Sequence, residues 1–144
     1  MFKTTKNETG LTIKKYTGND KNVVIPEQID GVTVTRIGNY AFYNNELQNV
    51  VIPDSVTHIG DWAFFYNNKL ENIVISDFVT YIGDYAFDSN KLQNIVISDS
   101  IIRYIGFLAF GNNEPLKQIN GQTARCIDNF AMLIDSTKQF ANGS

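Results

Sequence analysis

Two apolar phrases alternate along this chain. The first reads L-x-x-[VI]-x-I and is carried by Leu47, Val50 and Ile52, by Leu70, Ile73 and Ile75, and by Leu92, Ile95 and Ile97, with Val23 and Ile25 as an earlier partial copy. The second reads I-G-x-x-A-F and begins at Ile37, Ile59, Ile82 and Ile105, at intervals of 22, 23 and 23 residues. Alternation of β-branched and polar residues in the first phrase predicts a short strand. A fixed period of this length marks a unit that cannot bury its own apolar face and stacks on copies of itself, so the pattern predicts a solenoid. Strands recurring once per coil in one chain direction pair as a parallel ladder about 4.8 Å apart. Val50, Ile52, Ile73, Ile75, Ile95 and Ile97 then face inward, and Asn49, Val51, Asn72, Val74, Asn94 and Val96 face outward.

The connections between the phrases are polar. Pro53-Asp54-Ser55, Ser76-Asp77-Phe78 and Ser98-Asp99-Ser100 are turn formers whose side chains bond nearby backbone. Within I-G-x-x-A-F, the Gly is expected to supply a backbone conformation that other residues resist. Asn39, Asp61 and Asp84 are placed to cap a single helical turn carrying Ala and Phe. Ala lets coils approach and Phe fills the core. Asn44-Asn45, Asn67-Asn68, Ser89-Asn90 and Asn112-Asn113 follow, and an Asn stacked at one position in each coil reads as a ladder satisfying backbone groups at a bend.

Both ends depart from the pattern. Residues 10–16 alternate, residues 17–20 form a turn, and Val23-Val24-Ile25 follows, which predicts a capping hairpin over the first coil. At the other end Ile127-Asp128-Asn129-Phe130-Ala131-Met132 repeats the second phrase with Asp for Gly and Met for Phe, a degenerate fifth coil preceded by an eroded strand around Leu116–Ile119. The organisation expected is a capping hairpin over 1–22, repeats over 23–119, and a degenerate terminal repeat and tail over 120–144, in one structural domain.

Composition narrows the partners. Of 144 residues, 43% are hydrophobic and 19% charged, the balance of a chain with a continuous core. Residues 1–22 hold five Lys against Glu8 and Asp20, whereas residues 23–118 hold eleven acids against Arg36, Lys69, Lys91, Arg103 and Lys117, a net of −6. A nucleic-acid groove needs the opposite sign, and no nucleic acid is expected as a partner. The basic end reads as a solvated face on the cap, with a membrane or polyanion contact as the alternative. Neither a signal peptide nor a membrane span is expected, because no apolar run follows Met1-Phe2-Lys3 and nowhere do eighteen apolar residues run together. Cys126 is the sole cysteine, so the fold rests on packing.

The succession Leu47-x-x-Val50-x-Ile52-Pro53-Asp54-Ser55-Val56-Thr57-His58-Ile59-Gly60-Asp61-Trp62-Ala63-Phe64 resembles the repeat of the BspA-like leucine-rich repeat family, and residues 23–132 follow it throughout. Asn stands where many members place Cys after Ala-Phe, and Ser76 and Ser98 stand where Pro is usual. The resemblance implies a leucine-rich repeat solenoid of the α/β type, a curved right-handed coil with a parallel β-sheet on one face and short helical turns or loops on the other. It also implies a bacterial cell-surface or secreted protein that binds host proteins, matrix or other cells; without a signal peptide in this chain, a cytoplasmic location is the alternative.

Catalytic chemistry finds little support. His58 is the sole histidine and holds the variable position that is Arg36, Tyr81 and Tyr104 in other coils, as an ordinary exposed residue does. Cys126 and His58 fall three coils apart, and no phosphate loop or zinc spacing occurs, so no enzyme, cofactor or metal is expected. Glu27, Asp54, Asp77 and Asp99 share a turn position and read as solvated turn formers, with a weak calcium ladder as the alternative. Tyr40, Trp62 and Tyr85, with Phe65 and Tyr66 nearby, form an aromatic column that reads as cover for core or coil joints, with interface anchors as the alternative. What remains is recognition of a protein partner by the outward strand face of Asn49, Val51, Asn72, Val74, Asn94 and Val96, in a monomer or weakly self-associating chain. The alternative is a structural spacer or self-associating segment.

Overall fold

The computed structural model describes residues 1–95 and 102–113, together with the strands Gln118–Ile119 and Gln122–Thr123. It is a stack of coils, and each coil crosses two sheets. Strands β1 (Phe2–Asn7) and β2 (Gly10–Tyr16) begin one sheet, which continues in order through β5 (Val32–Ile37), β7 (His58–Ile59), β9 (Tyr81–Ile82) and β11 (Tyr104–Ile105). From β2 onward the pairing in this order is parallel, and β4 (Gln28–Ile29) adds an antiparallel partner to β5. The second sheet holds β3 (Asn22–Val24), β6 (Asn49–Val51) and β8 (Asn72–Val74), all parallel and in register: Asn22, Asn49 and Asn72 align, as do Val24, Val51 and Val74. Further along, β10 (Asn94–Ile95) pairs in parallel with β12 (Gln118–Ile119), which pairs antiparallel with β13 (Gln122–Thr123).

Only the second of these sheets comes from the apolar alternation; the first is an addition to the expected single ladder. Each of its repeat strands is two residues long, His58–Ile59 for example, too short to show a period in the sequence. Its inward residues Ile37, Ile59, Ile82 and Ile105 are buried, as are Val50, Ile52, Ile75 and Ile95 opposite, while Ile73 is half-buried. Ile97 and the degenerate fifth coil lie outside the described residues.

The rings of Phe42, Phe64, Phe87 and Phe110 run through the core as one stack, with centroids 4.8, 5.0 and 5.3 Å apart and planes within 8° of parallel. All four are 0% exposed. Each ring removed from water stabilises the coil by about 2–3 kcal/mol, so this column dominates the packing. Tyr16 continues the stack at 5.4 Å from Phe42, and Phe2 closes over both rings. The cap is a hairpin, but not the one expected. β2 takes β1 as its antiparallel partner, and Val23 and Val24 join the coil ladder instead. Asn7 holds the tight turn, its Oδ1 accepting from the amides of Thr9 and Gly10.

The segment carrying Ala and Phe is not helical, and no helix occurs among the described residues. Tyr40, Trp62, Tyr85 and Leu108 take left-handed φ values of 60°, 53°, 56° and 51°. That conformation alternates the direction of successive amides. Ala63 N donates back to Gly60 O within the turn, whereas the flanking Trp62 N and Phe64 N donate across to Asp84 O and Ala86 O of the next coil. Asn39, Asp61 and Asp84 are therefore rungs rather than helix caps. Asn39 Oδ1 accepts Asp61 N at 2.8 Å, and Asp61 Oδ1 accepts Asp84 N at 2.9 Å. The repeated Gly is required by these rungs. Its φ is not left-handed, but a Cβ on Gly60 would lie 2.5 Å from Asn39 Oδ1 and 2.7 Å from Asn39 N, and the same clash with Asp61 and Asp84 recurs at Gly83 and Gly106.

Candidate functional site

The second sheet turns Asn49, Val51, Asn72 and Val74 outward, as their alternation with buried residues demands. Val51 is 38% and Val74 58% exposed, and Val24, an addition in the same column, is 73% exposed. The Asn column is bonded to itself: Asn49 Nδ2 donates to Asn22 Oδ1 at 2.6 Å, and Asn72 Nδ2 to Asn49 Oδ1 at 2.9 Å. Asn94 begins β10, and Val96 lies outside the described residues. Asn22 and Val24 were detectable as the N-[VI]-V copy preceding Ile25. Beside the Asn column, a shallow groove of about 580 Å³ runs past Gln48, Asn49 and Asn72 to Lys69 and Lys91. The face is thus an apolar Val stripe, a self-satisfied amide stripe, and a polar margin.

The first sheet presents a different surface. Arg36, His58, Tyr81 and Tyr104 align on its outward side. The His58 and Tyr81 rings stack at 5.7 Å, and those of Tyr81 and Tyr104 at 4.8 Å. His58 is half-buried in this column rather than simply exposed, and its Nδ1 shares a 2.8 Å hydrogen bond with Thr57 Oγ1. Burial, then the Arg36 charge, lowers its pKa and keeps the imidazole neutral at neutral pH. Tyr104 Oη donates to Asp84 Oδ1 at 2.6 Å, and this bond, with burial and the carboxylate charge behind it, pushes the phenol pKa up to about 12. Beyond the turn, Tyr40, Trp62 and Tyr85 stack at 5.3 and 5.1 Å with planes within 4° of parallel. The aromatic column covers coil joints as expected, and the second column beside it is the feature that the single-ladder reading missed.

One member of the acidic column, Asp54, is tied to the next coil by a hydroxyl. Ser76 Oγ donates to Asp54 Oδ1 at 2.9 Å and accepts Phe78 N at 3.1 Å, and among the described residues no three His, Cys, Asp or Glu side chains gather where a metal ion could be held. Asp99 and Cys126 lie outside the described residues. Among the described residues no helix is long and apolar enough to cross a membrane.

The chain matches the family model described as BspA type leucine rich repeat region, in six copies over residues 15–132. Among solved structures it is similar to a T. pallidum leucine rich repeat protein, at 28% identity and a TM-score of 0.69, over 82% of this chain and 67% of that one. A leucine-rich repeat protein from Bacteroides capillosus aligns at 26% identity and a TM-score of 0.67, over 81% of this chain and 96% of that one. A leucine rich cell surface protein from Faecalibacterium prausnitzii aligns at 25% identity and 0.63, over 82% of this chain but 40% of its own length. No curated protein matches.

Proposed function

The chain belongs to the BspA-type leucine-rich repeat family, and from that premise we propose that it is a protein-recognition module that docks a partner on the outward face of the second sheet. The observation that carries this reading is the exposed, in-register column of Val24, Val51 and Val74 beside Asn49 and Asn72. Apolar side chains held on a flat ladder lose little conformational entropy on docking, and a low-charge centre with a polar margin is the anatomy of a protein interface. By sequence the column runs on through Asn94 and Val96. No reacting group is required of this face; its role is recognition rather than catalysis. The F. prausnitzii neighbour is titled a cell surface protein, and a surface-displayed module of this kind would mediate adhesion.

The test is a triple variant, Val24→Lys, Val51→Lys and Val74→Lys, compared with the unaltered chain in capture from serum and matrix extracts. Proteins retained by the unaltered chain should be lost from the variant while the melting temperature stays the same, because all three side chains already face water. Identical capture by both would sink this placement.

A further inference from the structure

The cap gathers the basic end of the chain into one patch. Five lysines stand in the first 22 residues, and strict alternation along β2 would send Lys14 and Lys15 to opposite faces of the sheet. They go to the same face. The pairing of β1 with β2 shifts register between Lys3 and Thr4, and this bulge leaves Lys14 and Lys15 both exposed between buried Ile13 and Tyr16. Lys3 pairs with Lys15 across the hairpin. On the other side of β2, Arg36 is in register with Thr12, and Thr12 with Thr5, so the guanidinium joins the lysines on the outer face of the first sheet.

This patch borders a recess. Two adjoining depressions of about 500 and 430 Å³ share Thr12, Gly38 and Asn39, and the charged groups that line them are Lys14 and Arg36, with no carboxylate. Among the described residues neither of these cations, nor Lys3 or Lys15, makes an ion pair or a side-chain hydrogen bond. Arg36 decides the chemistry, because it is half-buried in the row between Thr12 and His58 and has no carboxylate within ion-pair distance. A guanidinium that has lost part of its water without gaining a partner gains most from an incoming oxyanion, which its planar fork meets with two hydrogen bonds.

The surroundings select among anionic ligands. Thr5, Thr12 and Asn39 line the recess with two hydroxyls and an amide, groups that bond sugar hydroxyls. The bases of a nucleic acid find no platform on Tyr81, the ring at the edge of the recess, because its faces are covered by His58 at 5.7 Å and by Tyr104 at 4.8 Å. A bilayer surface would rest on the projecting lysines and leave the half-buried Arg36 beneath them. Asp61 and Asp84 follow as rungs along the stack, so a polyanion crosses the cap from Arg36 to Lys3 rather than running up the coils.

We infer that the recess at the cap end of the first sheet binds a sulfated glycan, with sulfate groups on Arg36 and Lys14 and the chain continuing over Lys15 and Lys3. The site lies on the other sheet from the Val face. Calorimetric titration of the full chain with a heparin hexasaccharide at about 0.15 M salt tests it, beside the same oligosaccharide stripped of its sulfates. The desulfated form should bind at least about tenfold more weakly. Lys14→Gln combined with Lys15→Gln should weaken the sulfated form at least about tenfold and flatten its salt dependence. The melting temperature should not move, because both side chains already face water. Arg36→Gln should weaken it about fivefold or more, and Arg36→Lys should restore only part, since a lysine keeps the charge and loses the fork. Absence of heat with the sulfated hexasaccharide, equal affinity for the desulfated form, binding undiminished by Arg36→Gln, or tighter binding to phosphatidylserine vesicles or to a thymidine oligonucleotide would overturn the inference.

Discussion

Two asparagine ladders, each of three described rungs, cross the coils of this solenoid, and they behave oppositely. The outer one, Asn22, Asn49 and Asn72, is exposed, and Asn49 and Asn72 each donate a single side-chain bond to the rung before. The inner one contains Asn67, Asn90 and Asn113, all buried, and there the amide works on backbone. Asn67 Nδ2 donates to Phe42 O and Phe64 O at 2.8 and 3.0 Å, and its Oδ1 accepts Asn45 N and Leu47 N at 2.9 and 3.2 Å. Asn90 and Asn113 repeat the arrangement one and two coils on. The same residue at the same period is a surface feature on one side and a structural element on the other. What differs is access to water, since a group cut off from solvent loses the full value of a bond when its partner goes.

Asn67→Ala should therefore break the comparison most sharply. It leaves Phe42 O and the amides of Asn45 and Leu47 without their partner at a site 0% exposed, while Phe64 O keeps Asn90 Nδ2 at 3.1 Å, at a cost of about 3 kcal/mol. Urea unfolding would measure it; a loss below about 1 kcal/mol would mean that water replaces the amide.

An intermediate case is the Tyr104 to Asp84 bond, which links coils through a charged acceptor on a surface that is partly wet. Tyr104→Phe should cost about 1 kcal/mol or less. Because the folded phenol is held at about 12, above the unfolded value near 10, this contribution is complete below pH 10 and is lost as pH climbs from 10 through 12. Alkaline melting curves of the two proteins should therefore differ at pH 9 and converge by pH 12, and parallel curves throughout would refute the assignment.

The smallest effect belongs to the outer ladder. Asn49→Ala should change stability by under about 0.5 kcal/mol, because water replaces both bonds it makes. A loss approaching that of Asn67→Ala in the same urea series would erase the distinction between the ladders.

The inner ladder was legible before any coordinates, since an Asn recurring after every Ala-Phe pair has few uses other than satisfying a bend. The apolar alternation likewise identified the second sheet and its outward residues Asn49, Val51, Asn72 and Val74. The first sheet was not legible, because His58–Ile59 and its equivalents are too short to alternate. The cap hairpin was misassigned for a related reason: residues 2–7, mostly exposed, carry no apolar alternation to announce a strand. Of the surfaces described, the Val face could be read from period two, whereas the ring column of His58, Tyr81 and Tyr104 depends on the stacking of the first sheet.

By itself the sequence determined the coil: its length, its repeated core of Ile, Ala and Phe, and the family to which it belongs. Those follow from burial and period, which one chain states residue by residue. Tertiary structure alone decided what the glycines and the acids of I-G-x-x-A-F do. Residues 22 or 23 apart meet only when coils stack, and the clash that excludes a Cβ at Gly60, the rung from Asn39 to Asp61, and the ring contacts of His58, Tyr81 and Tyr104 exist only across that contact.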